Sequence, residues 1–208
     1  MDYVDVIVDE LDQYIIAEIN KYGSPPLDFY NDAINVSIEL GKKLKANLDV
    51  IKLGIRFMDA KLGEAVSLKK RNEHINMSLG FAMEFLTKYP LSEDIKNKVF
   101  ACIKEHHDNK FSCIESEICA NADCYKFLIP RNILKMFYNM HQRGYNFEEI
   151  LMMADEKADE KWNSLTLDIC KKELEPNYYK IKKFLELAKH DALSFVKSKD
   201  ENANAIKL

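Results

Sequence analysis

Apolar residues recur at three- and four-residue spacing along almost the whole chain, and no stretch alternates with the period of two that a half-buried strand requires. Only six glycines and five prolines interrupt 208 residues. A chain with this pattern has one economical solution, which is helices packed on helices. The fold class expected is therefore all-α: a single-domain helical bundle with a C-terminal helical extension.

The punctuation divides the bundle. "VDVIVDELDQYIIAEINKY" reads as a first helix closed by "GSPP". Ser24 is the expected cap of a second, entered through the prolines, "LDFYNDAINVSIELGKKLKA". "LDVIKLGIRFMDA" is almost apolar beyond Asp49 in its first turn, except for Lys52, Arg56 and the terminal Asp59, which predicts a central position. "LGEAVSLKKR" reads as a connector, and "NEHINMSLGFAMEFLTKY" as a helix stopped by Pro90. "LSEDIKNKVFACIKEHH" has Ser92 as N-cap and acids in its first turn, where the helix dipole favours them. Pro130 marks a break in the segment that follows, and "NFEEILMMADEKADEKWNSL" and "NYYKIKKFLELAKHDALSFVKSK" form a charged terminal pair. The organisation expected is an N-terminal helix (1–26), a helical core (27–145), the terminal pair (146–198) and a loose tail (199–208).

Composition excludes several functions. A net charge of −4 with no basic stripe argues against nucleic acid. No uncharged apolar run approaches the roughly 18 residues of a membrane span. The start is acidic and does not read as a secretory signal. Five cysteines, an odd number with no C-x-x-C pair, suggest reduced, buried thiols and a cytoplasmic protein.

The chemistry concentrates in a few acids and histidines. His106 and His107 stand side by side where a helix stops, although neighbours on a regular helix point about 100° apart. His74 lies one turn inside another helix, Asp59 closes the apolar one, and Asp123 sits among small and apolar residues in "CANADCYKF". Imidazoles and carboxylates at the ends of buried helices are the donor set of a metal site in a bundle, since a desolvated acid needs a positive partner. Each residue also has a plain structural reading. A helix-end His favours the dipole, Asp123 serves as an N-cap, and Asp59 points at solvent. Lys126, one turn after Asp123, shares its face. Lys61, Arg131 and the run Lys69, Lys70 and Arg71 are further cations available to a phosphate. His190–Asp191 reads as part of a solvated helix face, and His141 as a helix end before a Gly turn.

Four segments in order, "VIKLGIRFMDAK", "EHINMSLGFAMEFL", "IKEHHDNK" and "ESEICANADCYKF", resemble the motifs of the HD-domain superfamily of metal-dependent phosphohydrolases. The resemblance spans roughly residues 27–127. It implies an all-helical fold, a divalent metal (Fe, Mn, Zn or Mg) on Asp59, His74, His106, His107 and Asp123, and hydrolysis of a nucleotide or other phosphate ester. Asp59 and Asp123 would then orient the reactive water, and Lys126 would face the phosphate. Two histidines of the family pattern are missing. Met58 stands where the His of His-Asp belongs, and "DFYNDAI" offers only Phe29, Tyr30 and Asn31 for the first. The alternative is an inactive HD-like module that binds a ligand or a partner protein.

Overall fold

The computed structural model describes residues 3–190 and 194, and among them the protein is all-α. The helices are α1 (Tyr3–Tyr22), α2 (Leu27–Leu44), α3 (Leu48–Phe57), α4 (Leu62–Ser67), α5 (His74–Leu86), α6 (Glu93–Glu105), α7 (Ile114–Leu128), α8 (Pro130–Gln142), α9 (Phe147–Ser164) and α10 (Asp168–Ala188), with a 3-10 turn at Arg71–Glu73 before α5. No described helix is long and apolar enough to cross a membrane. The chain falls into two compact units, Met1–Lys126 with Ser164–Lys171, and Phe127–Asn163 with Lys172–Leu208. The expected loose tail lies outside the described residues.

The first unit is built around α3, which packs on α1, α2, α5 and α6. Its start is set by Asn47, whose side chain accepts from the Asp49 and Val50 amides. The Asn47 amide in turn donates to Glu115 Oε1 of α7 at 2.9 Å. Every residue from Leu53 to Met58 is buried, including Arg56. That guanidinium is tolerated because it forks onto Asp12 of α1, Nε to Oδ1 at 2.9 Å and Nη2 to Oδ2 at 3.0 Å. Its Nη1 donates to the Lys52 carbonyl, and the Tyr30 hydroxyl of α2 donates to Asp12 Oδ1. Helix α7 is enclosed on all sides over Ile118–Lys126, which its alternation of small residues permits.

Helices α3, α6 and α7 meet at Gly54. A Cβ there would lie 2.6 Å from Cys102 Cβ and 2.7 Å from Cys102 Sγ, with Cys119 Sγ at 3.6 Å. The Cys102 Cβ is fixed to the α6 backbone, so it cannot swing aside. Gly54→Ala is expected to lower stability by about 1–3 kcal/mol through overpacking. An unchanged denaturation midpoint would mean that α3 and α6 separate without penalty. All five cysteines are free thiols, four of them buried.

The second unit has its own core of Ile133, Met136, Leu151, Ala154, Ala158, Ile181 and Leu185. Trp162 of α9 stacks on Tyr178 of α10, with centroids 4.7 Å apart and planes 7° apart. The Tyr178 hydroxyl donates to Asp159, and Lys182 bridges Asp155 and Asp159.

Three local expectations are corrected. The "LGEAVSLKKR" connector contains α4, too short to show an apolar stripe but anchored by buried Gly63 and Ala65. The α2 N-cap is Pro26, with no side-chain cap bond, so the fixed proline φ and not a Ser24 hydroxyl sets the entry. The last helix begins at Asp168 and passes through Pro176. Buried Cys170, Leu174, Ile181 and Leu185 continue one stripe across that proline. Burial along that face carries the helix through a residue that ordinarily breaks one.

Candidate metal centre

Three helix ends bring the site together. Asp59 closely follows α3, His74 opens α5, and His106 follows Glu105, the last residue of α6. At the end of α6 the Asp108 amide turns back to the Glu105 carbonyl at 2.8 Å. This exit lets the two adjacent imidazoles come together, their centroids 4.0 Å apart and their planes at 41°. The His74 ring lies 5.5 Å from each of them. One ligand atom from each of His74, His106 and His107 can be chosen so that all lie within 4.8 Å of one another. His74 and His106 are buried and His107 is exposed.

The ring tautomers follow from the backbone. His74 Nδ1 lies 2.7 Å from the Arg71 carbonyl, and His106 Nδ1 lies 2.7 Å from the Ile103 carbonyl. A carbonyl only accepts, so each Nδ1 carries the proton and each neutral ring presents its Nε2 lone pair. Both Nε2 atoms lie 3.8 Å from the same oxygen, Asp59 Oδ1. That is too far for a hydrogen bond, and His106 Nε2 is buried with no hydrogen-bond partner. Lone pairs of two imidazoles and a carboxylate thus converge on one point.

The other oxygen of Asp59 is differently engaged. Lys126 Nζ lies 3.0 Å from Asp59 Oδ2 and 2.6 Å from Asp123 Oδ1, and all three side chains are largely buried. Asp123 lies in the middle of α7, which removes the N-cap reading. Asp59 is only 13% exposed at its side chain, which removes the solvent reading. Lys126 does share a face with Asp123, but it clamps the two acids together instead of standing apart from them to meet a phosphate.

These contacts set the protonation states. Burial, the largest influence, works against ionising Asp59, as does Asp123, but Lys126 together with His106 and His74 more than offsets them, and the carboxyl stays below its ordinary value. Burial also works against charged Lys126, and Asp123 and Asp59 more than reverse it, so the ammonium is held above its usual range. For His106, burial lowers the imidazole pKa, and Asp59 and Asp123 restore only part of that. The neutral, ligating form is therefore the favoured one.

The remaining candidates lie elsewhere. Lys61 pairs with Glu64 at 2.9 Å and Glu18 at 3.2 Å, and its ammonium lies over the Tyr14 and Phe81 rings. With Tyr14 and Phe81 it lines a cavity of about 840 Å³ to which none of the histidines contributes. Lys69, Lys70, Arg71, Arg131, His141 and His190 are exposed. Asp191 lies outside the described residues. Met58 is buried at the end of α3, and Phe29 and Tyr30 are buried in α2. The roles of the Arg71 and Ile103 carbonyls had no sequence signal beyond their place three residues before each histidine.

Comparison with protein-family models, with curated proteins and with solved structures finds no match.

Proposed function

We propose that this chain is a metal-binding helical module of HD-like design, in which His74, His106, His107 and Asp59 hold one divalent ion. The observation that carries the reading is the orphaned His106 Nε2, buried and facing Asp59 Oδ1. Facing lone pairs repel unless a cation lies between them, and burial disfavours a proton on His106. The donors fit a metal. Ligands at about 2.0–2.1 Å from a tetrahedral ion lie about 3.4 Å apart, so the 3.8 Å from Asp59 to His74 and His106 closes with a shift of about half an ångström, while the three imidazoles, within 4.8 Å of one another, close by up to about 1.4 Å. The Nδ1–H bonds to backbone carbonyls are the orienting contacts that metal-bound imidazoles commonly make. A donor set rich in imidazole favours Zn, Fe or Mn over Mg. When bound, such an ion would supply Lewis acidity toward an anionic ligand.

The protein's own residues favour binding over hydrolysis. Both carboxylates that could orient a water are taken up by Lys126, and Met58 offers no imidazole. A second reading, hydrolysis of a nucleotide or other phosphate ester, is favoured by the exposure of His107, which leaves the cluster open on one side as catalytic sites require.

Metal analysis of protein purified without chelators tests the proposal. One ion per chain is expected, and none in His106→Ala. A chain without metal, even after dialysis against Zn²⁺ or Mn²⁺, overturns it. Turnover of phosphate esters by the loaded protein, lost in His106→Ala, would establish the second reading.

A further inference from the structure

We propose that Lys126 is a built-in substitute for a second cation, so that its ammonium limits this centre to a single metal ion. The inference rests on the metal-site reading above for its first ion and goes beyond it in explaining the second position.

The argument starts from Asp59. One of its oxygens faces the imidazole lone pairs of His74 and His106, and the other faces the Lys126 ammonium. A carboxylate used in this way is a bridge between two cation positions. The first is defined by nitrogen donors. The second is defined by two carboxylate oxygens, Asp59 Oδ2 and Asp123 Oδ1, and Nζ lies between them at 3.0 and 2.6 Å.

Charge supports the assignment. Two buried carboxylates with neutral imidazoles carry −2, and Lys126 reduces this to −1, which one divalent ion at the histidines turns to +1. A second divalent ion added beside the ammonium would bring the centre to +3 in a desolvated site, which opposes its entry. With a neutral side chain at 126, two divalent ions bring the same acids to +2, little above the wild-type centre with one. The oxygen-only position would take a hard ion such as Mg²⁺ or Mn²⁺.

The tether also holds the acids together whether or not an ion is bound. An unpaired buried carboxylate pair repels itself, and a covalently attached cation is always present.

The experiment compares wild type, His106→Ala, Lys126→Met and Asp123→Asn/Lys126→Met. Each is titrated with Mg²⁺ and with Mn²⁺, and thermal unfolding and bound ions per chain are read. Wild type is expected to bind one Mn²⁺ and to show no Mg²⁺-dependent rise in melting temperature. Lys126→Met is expected to bind two Mn²⁺ and to gain a Mg²⁺-dependent rise. The double variant, with one acid removed, is expected to lose that rise. One ion in both wild type and Lys126→Met, with no Mg²⁺ response, overturns the stand-in role and leaves the histidine site intact. No ion in wild type but one in Lys126→Met overturns the histidine site and leaves the stand-in role intact. If Lys126→Met folds only when Mg²⁺ or Mn²⁺ is present, the ion is replacing the ammonium, as proposed. Failure to fold in either ion overturns the proposal.

Discussion

Asp59→Ala is expected to lower the stability of the metal-free protein by about 3 kcal/mol at pH 7 and to abolish metal binding. Removing one member of a buried ion pair costs about 3–5 kcal/mol, because the partner is left charged and desolvated. The lower end applies here, since Asp123 remains 2.6 Å from Lys126. The effect should depend on pH in a defined direction. Asp59 is held below its ordinary value, so its ionised form stabilises the fold above the unfolded carboxylate pKa of about 3.9. That stability is lost as pH falls through the folded value. The gap between wild type and variant, measured by urea denaturation, should therefore be full at pH 7 and narrow below about pH 4. A gap under about 1 kcal/mol at pH 7 would mean that Asp123 alone satisfies Lys126 and that Asp59 is not the pivot of the centre.

Asp12→Ala is expected to be at least as damaging, at about 3–5 kcal/mol. Arg56 has a 10% exposed side chain and gives Asp12 two of its donors. Without Asp12 the guanidinium keeps only its bond to the Lys52 carbonyl, and the Tyr30 hydroxyl loses its acceptor. The helices α1, α2 and α3 are joined at this one carboxylate. A double variant, Asp12→Ala/Arg56→Met, separates pairing from packing. It should recover most of the loss, because no charge is then left buried. If Asp12→Ala costs the same with Arg56 in place as it does in the Arg56→Met variant, the ion pair contributes nothing.

The features legible in the sequence are local ones. Ser92 accepts from the Ile95 amide at the start of α6, as the run of a Ser before two acids suggests. The end of α6 at the histidines is local too, and so is the i, i+3 relation of Asp123 to Lys126. The centrality of α3 can be read from the near-absence of polar residues in it. What is illegible is non-local. Asp59 and Lys126 are 67 positions apart, and no spacing rule predicts that one lysine bridges both acids. Asp12 and Arg56, 44 apart, are hidden for the same reason, since an Arg in an apolar helix announces a partner without naming it. The start of helix α10 is hidden because Pro176 is a strong local stop signal, and the burial that overrides it is tertiary.

Trp162, the only tryptophan in the chain, stacks face to face on Tyr178 within the second unit. Its fluorescence therefore reports the packing of α9 against α10. Asp59, Lys126 and the three histidines all belong to the first unit, which contains tyrosines and phenylalanines but no indole. An emission-monitored melt reads that packing and not the histidine cluster itself. Metal loading at the histidines is better followed by calorimetry, which reads the whole chain.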